Sequence, residues 1–325
     1  MRVVIAGGSG FLGSHLCEAL LDRGDRVCCL DDFSSGRAAN VGHLLRESGF
    51  ECVPCDVTGR IRVTGKVDAV VHLASAASPF DYSRRPLQTL AAGSRGTENL
   101  LRLALRHQAR FVLASTSEVY GDPEVHPQNE DYWGHVNPVG PRSVYDEAKR
   151  FAEALTMAYR RSEGADAGIV RIFNTYGPRM RPHDGRVVST FIRQALDGEA
   201  LTIFGDGGQT RSFCYVDDLI RGLLAMVDTH GAGPFNLGNP SERTMRELAA
   251  MVLLITGSDG GLRFLPLPVD DPVRRRPDIT RAREGLGWQP TVPLEAGLRR
   301  TVAWFAAHSD TSVRPQEHSS VGRSS

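Results

Sequence analysis

Residues 113–122 read LASTSEVYGD, an apolar run that ends in two hydroxyls, a carboxylate and a phenol: Thr116, Ser117, Glu118 and Tyr120. Further on, SVYDEAK places Tyr145 and Lys149 four residues apart. On a helix that spacing puts both on one face. A lysine ammonium and a nearby nicotinamide cation would favour the phenolate, so Tyr145 can take a proton from an alcohol near neutral pH. Thr116 can hydrogen-bond the same oxygen. Glu118, directly after the two hydroxyls, is a second proton-handling group or a group that positions water.

The elements that must position these groups can be read on either side of them. RVVIAGG has the near-continuous apolar character of a strand buried on both faces. GSHLCEALLDRG then predicts a helix, with Leu12, Leu16 and Leu20 on one face and Gly24 as its stop. RVCCLDD, FECVPCDV, VDAVVHLAS, ARFVLAST and AGIVRIFN read as further strands. TENLLRLALRH and SVYDEAKRFAEALTMAYRRSEG read as helices among them. The alternation predicts an α/β fold, a Rossmann-type doubly wound parallel sheet.

After Asn174 the pattern breaks into loops, a helix at VVSTFIRQALDG, a short strand at ALTIFG, and later helices at TMRELAAMVLLITG and PLEAGLRRTVAWFAA. We therefore expect a cofactor-binding unit over 1–173, with 211–238 returning to it, and a smaller C-terminal substrate-binding unit over 174–210 and 239–307. The polar, aperiodic stretch 308–325 reads as a disordered tail.

GGSGFLG supplies Gly7, Gly10 and Gly13, with Phe11 and Leu12 inside the turn. The turn follows a buried strand and opens a helix, the context in which bare backbone and a helix N-terminus receive a pyrophosphate. Asp31, with Asp32 beside it, ends the second strand where an acid binds ribose hydroxyls and repels a 2′-phosphate, which favours NAD over NADP. Asp56 and Val57 are placed to meet the adenine edge, and Leu73 and Ala74 of HLAS to pass beneath the cofactor.

Composition narrows the class further. The chain has 325 residues and a formal net charge of zero, so no global charge points to nucleic acid or an anionic membrane. No apolar run is long enough to span a bilayer, and MRVVIAGG opens without a leader pattern, so a cytoplasmic protein is expected. Among six cysteines, Cys52 and Cys55 form a CxxC without the second matching pair that zinc would need. No metal is expected.

The glycine turn, Asp31, Thr116 and the Tyr145/Lys149 pair resemble the extended short-chain dehydrogenase/reductase family of nucleotide-sugar enzymes. TSEVYGDPEVHPQ, EDYWGHVNP, RIFNTYGPRM, DGRVVSTFI, QTRSFCYV, NLGNP and DDPVRRRPDI are similar to the UDP-glucuronate decarboxylases of that family, from Arg2 to about Phe305. The resemblance implies an NAD-dependent decarboxylation of a UDP-sugar through a 4-keto intermediate, with NAD regenerated, in a homodimer through a helix bundle. It implies that Asn174 and Arg186 contact the sugar nucleotide, that Phe204 lies against the uracil, and that Arg211 and Arg275 grip the diphosphate. Two departures stand out: Gly93 where the family usually carries Asn, and Ala76 where HLASPASP carries Pro.

Ser117 decides among the reactions the resemblance allows. Related 4,6-dehydratases place an Asp–Glu pair after the threonine, where an acid must protonate the departing C6 hydroxyl. A serine is too weak an acid for that, and its small neutral side chain leaves room for a substrate carboxylate. Decarboxylation is the primary reading. A 4,6-dehydratase or 4-epimerase is the alternative, and a non-catalytic sugar-nucleotide or NAD sensor is a remote one.

Overall fold

The computed structural model describes residues 1–267 and 274–308. Most of the stretch read as a tail, 309–325, therefore lies outside the described residues. His308, counted with that tail, is the last residue of a helix.

Six strands follow the expected places: β1 (Arg2–Ala6), β2 (Arg26–Asp31), β3 (Phe50–Pro54), β4 (Ala69–His72), β5 (Arg110–Thr116) and β6 (Ala167–Ile172). After them come β7 (Thr175–Tyr176), β8 (Leu201–Phe204), β9 (Thr210–Ser212), β10 (Cys214–Tyr215), β11 (Phe235–Leu237), β12 (Glu242–Thr244), β13 (Leu262–Leu265) and β14 (Arg274–Arg275). The helices are α1 (Phe11–Asp22), α2 (Pro79–Arg84), α3 (Pro86–Ala91), α4 (Thr97–His107), α5 (Ser143–Ser162), α6 (Val187–Leu196), α7 (Val216–Asp228), α8 (Met245–Thr256), α9 (Thr280–Leu286) and α10 (Leu294–His308). The short α2, α3 and α9, and α7, were not separately resolved from sequence.

The main sheet is parallel with seven strands in the order β11-β6-β5-β4-β1-β2-β3. The chain thus returns at β11, inside 211–238, to pair with β6. Alternate residues of β1 serve opposite faces. Val3 and Ile5 pack in one core with Leu16 and Leu20 of α1 and Leu223 of α7. Val4 and Ala6 pack in the other with Leu100, Leu101 and Ala104 of α4. Both faces are covered, which is why the strands read as apolar runs without alternation.

Strand order reverses beside β1, whose neighbours are β2 and β4, and such a reversal opens a crevice at the strands' C-terminal ends. Next to it lies a small sheet in which β9 pairs with β12 and β14, placing Arg211 in register with Arg275. A capping box between Thr244 and Glu247 starts α8 behind this sheet.

Candidate active site

Two joined cavities, of about 620 and about 510 Å³, open at the C-terminal ends of the central strands. Leu12, Leu73, Ser75, Ala77 and Arg186 line both, so the two form one cleft.

The first cavity lies over the glycine turn and is lined by Gly7, Gly10, Phe11, Leu12 and Gly13. Gly7 has φ +83°, and a Cβ there would stand 2.7 Å from the Ala74 nitrogen. A Cβ on Gly13 would strike the Gly7 carbonyl oxygen. Gly10 is the N-cap of α1 and gives it no side-chain cap, which leaves the first-turn N–H groups for an anion. Asp31 and Asp32 line the far wall, Asp56 and Val57 the end, and Leu73 and Ala74 the floor.

Asp31 does more than face the groove. Its Oδ2 accepts from the Ser9 N–H at 2.9 Å and its Oδ1 from the Phe33 N–H at 2.8 Å. The carboxylate therefore braces the glycine turn from below. Burial pushes its pKa up, and those two hydrogen bonds oppose the shift. Bare backbone for a pyrophosphate, an acid at the end of β2 and an apolar floor fit a dinucleotide.

The second cavity gathers residues from far apart in the chain. Thr116, Ser117 and Glu118 reach it from the end of β5, Tyr145 and Lys149 from α5, and Asn174 from the end of β6. Arg186, Phe204, Arg211 and Arg275 come from the C-terminal elements. Arg186 is held by Asp184 through Nε at 2.8 Å and lies 5.5 Å from the Phe11 ring centroid, at the junction of the cavities. Phe204 is half exposed at the outer end.

Tyr145 is buried and stacks on Tyr82, with ring centroids 5.3 Å apart and planes 9° from parallel. Burial pushes its phenol well above the usual range, a hydrogen bond with Thr116 pulls it down, and the charges of Glu118 and Asp146 push it up. Lys149 Nζ lies 5.9 Å from the Tyr145 ring centroid and donates to the Ala114 carbonyl oxygen at 2.8 Å. Desolvation lowers Lys149 to about 8. Burial in the protein alone thus opposes the phenolate that the lysine and a nicotinamide cation together are expected to favour.

Arg275, which the resemblance assigns to a diphosphate, pairs with a carboxylate within the protein: its Nη2 donates to Glu118 Oε2 at 3.1 Å and its Nη1 to Glu118 Oε1. Arg142 Nη2 donates to the same Oε2 at 2.7 Å. Burial alone would raise the Glu118 carboxyl, but the two guanidinium groups outweigh it and hold it down at about 2. A buried carboxylate needs such partners, which explains the pairing.

Gly93 lies in a π-type turn at Ala92–Gly96, packed on α5. A Cβ there would stand 2.7 Å from the Ala148 carbonyl oxygen and 2.8 Å from the Ala148 Cβ. With Ala148 in place, position 93 has no room for Asn unless α5 shifts. The same region buries His72, whose Nε2 is 3.2 Å from the Thr97 hydroxyl; burial and the Lys149 charge lower it to about 3.

Two residues lining the site escaped the sequence reading, Tyr82 and Arg142, and so did Asp146 behind them. Asp146 is buried beside Tyr145, with Oδ1 lacking a hydrogen-bond partner, and is raised to about 7 by desolvation and the Glu118 charge. Arg142 carried one legible signal, a cation at a helix start. No group of metal-binding side chains occurs among the described residues, and no described helix is long and apolar enough to cross a membrane.

Comparison with known proteins places this geometry among relatives. Residues 3–238 match the model of the NAD dependent epimerase/dehydratase family. UDP-glucuronic acid decarboxylase 1 of Danio rerio is 52% identical over 97% of this chain and 75% of its own length. UDP-glucose 4-epimerase of Thermotoga maritima, solved with UDP-glucose, superposes with a TM-score of 0.88 at 30% identity, covering 95% of this chain and 100% of that one. UDP-glucuronic acid 4-epimerase of Bacillus cereus, solved with UDP-glucuronic acid and NAD, gives 0.84 at 30% identity over 94% and 99%.

Proposed function

Since the chain belongs to the NAD dependent epimerase/dehydratase family, we propose that it is a UDP-glucuronate decarboxylase that makes UDP-xylose and regenerates its NAD in each turnover. Its relatives at about half identity over most of the chain carry that activity in their names.

The observation that carries the choice against a dehydratase is the state of Glu118 beside Ser117. It is the one carboxylate among the described residues lining the substrate cavity. Two arginines hold it ionised, and its neighbour at the second position is Ser117, buried and neutral. With Glu118 ionised and Ser117 where a dehydratase carries an acid, no carboxylic acid among the described residues lining the cavity is left to protonate a departing C6 hydroxyl. Decarboxylation needs no such acid.

Gly7, Gly10, Phe11, Leu12, Gly13, Asp31, Asp32, Asp56, Val57, Leu73 and Ala74 would hold NAD, with Tyr145 and Lys149 at its reactive end. When bound, NAD supplies reversible hydride acceptance at C4 of the sugar and adds positive charge beside Tyr145. Tyr145 takes the C4 hydroxyl proton, with Thr116 hydrogen-bonded to the phenol and the Lys149 charge favouring the phenolate. The resulting 4-ketone is β to the C6 carboxylate, and CO₂ leaves because the ketone delocalises the carbanion at C5; C5 then takes a proton, and hydride would return to C4 as the Tyr145 phenol gives its proton back to the C4 oxygen. Glu118 acts near C5 and C6, in proton handling or in positioning water. Asn174, Arg186, Phe204 and Arg211 position the UDP-sugar, the arginines by charge and fork geometry.

We assign the main sheet and its helices to cofactor binding and the small sheets with α6, α8 and α10 to substrate binding. A homodimer is supported by the apolar side chains that α3 and α5 leave exposed: Leu87, Leu90 and Phe151. Light scattering on the full chain tests that.

The test of the activity is an incubation with UDP-glucuronate, with and without added NAD⁺, followed by product mass and CO₂. Release of CO₂ to a UDP-pentose without net NADH is expected. Loss of water from a neutral nucleotide hexose, with UDP-glucuronate untouched, would overturn the reading in favour of a dehydratase.

A further inference from the structure

Arg142 stands where local chemistry disfavours it. It is the N-cap of the 20-residue α5, has no side-chain capping bond, and brings a positive charge to the positive end of the helix dipole. Serine, threonine or aspartate would stabilise that helix start better. A side chain held against local preference points to a role elsewhere.

Its partner is Glu118 Oε2, at 2.7 Å, and the pair lies mostly out of solvent, with side-chain exposures of 22% and 15%. Arg275 holds the same carboxylate through both of its oxygens. The two holders differ in origin. Arg142 is three residues before Tyr145 and belongs to the helix that carries the reacting phenol. Arg275 sits on β14, in register with Arg211 on β9, and both line the substrate cavity. An incoming nucleotide diphosphate would compete with Glu118 for Arg275. A buried carboxylate that lost all its cationic partners would protonate or turn away.

We propose that Arg142 is a positioning residue for the decarboxylation, keeping Glu118 aimed into the pocket when Arg275 turns to the substrate's diphosphate. The inference rests on the UDP-sugar reading of the cavity. Besides the two arginines, Glu118 faces Tyr145 and Asp146 from α5 and Tyr82 from α2. None of these is a cation, so Arg142 is the positive partner that remains.

The test uses the full chain as Arg142→Gln and Arg142→Lys, alone and with Glu118→Gln. For Arg142→Gln we expect kcat on UDP-glucuronate to fall ten- to a hundredfold, with KM changed less than threefold and partial recovery in Arg142→Lys. If Arg142 acts through Glu118, adding Arg142→Gln to Glu118→Gln lowers kcat less than threefold further. Additive losses, or a KM that rises while kcat holds, would overturn the assignment.

A second readout does not depend on turnover. The ¹³C carboxyl resonance of Glu118, identified by its disappearance in Glu118→Gln, is titrated with NAD and UDP present. Retained ionisation in the wild-type protein, and a titration at least one pH unit higher in Arg142→Gln, are expected. An unchanged titration in Arg142→Gln sinks the proposal even if UDP-glucuronate is not the substrate. Failure of the wild-type protein to release CO₂ with that titration shifted sinks only the substrate reading.

Discussion

The two halves of the cleft are built on opposite principles. The phosphate-binding end of the cofactor groove is made largely of backbone: a glycine turn, a helix start and the ends of adjacent parallel strands, with Asp31 spent partly on bracing the turn. The substrate cavity sets a few charged side chains, from Glu118 to Arg275, within a largely apolar lining, and Glu118 is held there by Arg142 and Arg275. A backbone site tolerates little change in volume but depends weakly on pH. A site of opposed buried charges tolerates volume change better, but any change in one charge alters the ionisation of its neighbours.

That contrast can be broken most severely at the phenol. Tyr145→Phe removes the proton acceptor, and kcat should drop by about 10²- to 10⁴-fold while NAD affinity, read by fluorescence quenching, stays within threefold. A comparable loss of NAD binding would show that the two halves are not separable.

Glu118→Gln comes next. It leaves Arg142 and Arg275 facing a neutral amide, and removing one partner of a buried pair costs about 3–5 kcal/mol. The depressed pKa of Glu118 gives the sign of the pH effect. Its contribution to stability is present above the unfolded value near 4.5 and fades as pH falls towards about 2. The gap in Tm between wild type and variant should therefore be wide at pH 7 and narrow below pH 3.

Gly13→Ala probes the backbone half. Its methyl must displace the Gly7 carbonyl, and overpacking of this kind costs about 1–3 kcal/mol. NAD affinity should fall roughly ten- to a hundredfold, by the same factor at pH 6 and pH 8, when measured by titration calorimetry. A strong pH dependence of that loss would count against a purely steric groove.

Asp146→Asn is the smallest effect. The Asp146 pKa is raised to about 7, so the folded protein binds a proton that the unfolded chain has released above pH 4. Stability from this group is present at low pH and is lost as pH rises towards 7. Asparagine removes the loss, so calorimetry should show a gain that is absent below pH 4, partial at pH 5 and complete at pH 8. A lower Tm at pH 8 would mean that the Asp146 carboxylate has a stabilising partner.

The sequence by itself determined six of the seven strands of the main sheet, the glycine turn and the Tyr145/Lys149 face. Each depends on local regularities: apolar runs where both sheet faces are covered, glycine where a Cβ cannot fit, and helical spacing of four. It also placed Thr116, Ser117 and Glu118 at the end of β5, because a strand's end is fixed by the strand. Tertiary structure alone decided what those groups meet. The pairing of Glu118 with residues 142 and 275, the stacking of Tyr82 on Tyr145, the burial that raises Tyr145 and Asp146, and the contact that closes position 93 to a larger side chain all join segments far apart in the chain. Such contacts leave no periodicity to read. The charge on a side chain is written in the sequence, but its ionisation depends on which charges the fold packs beside it and how much water is excluded.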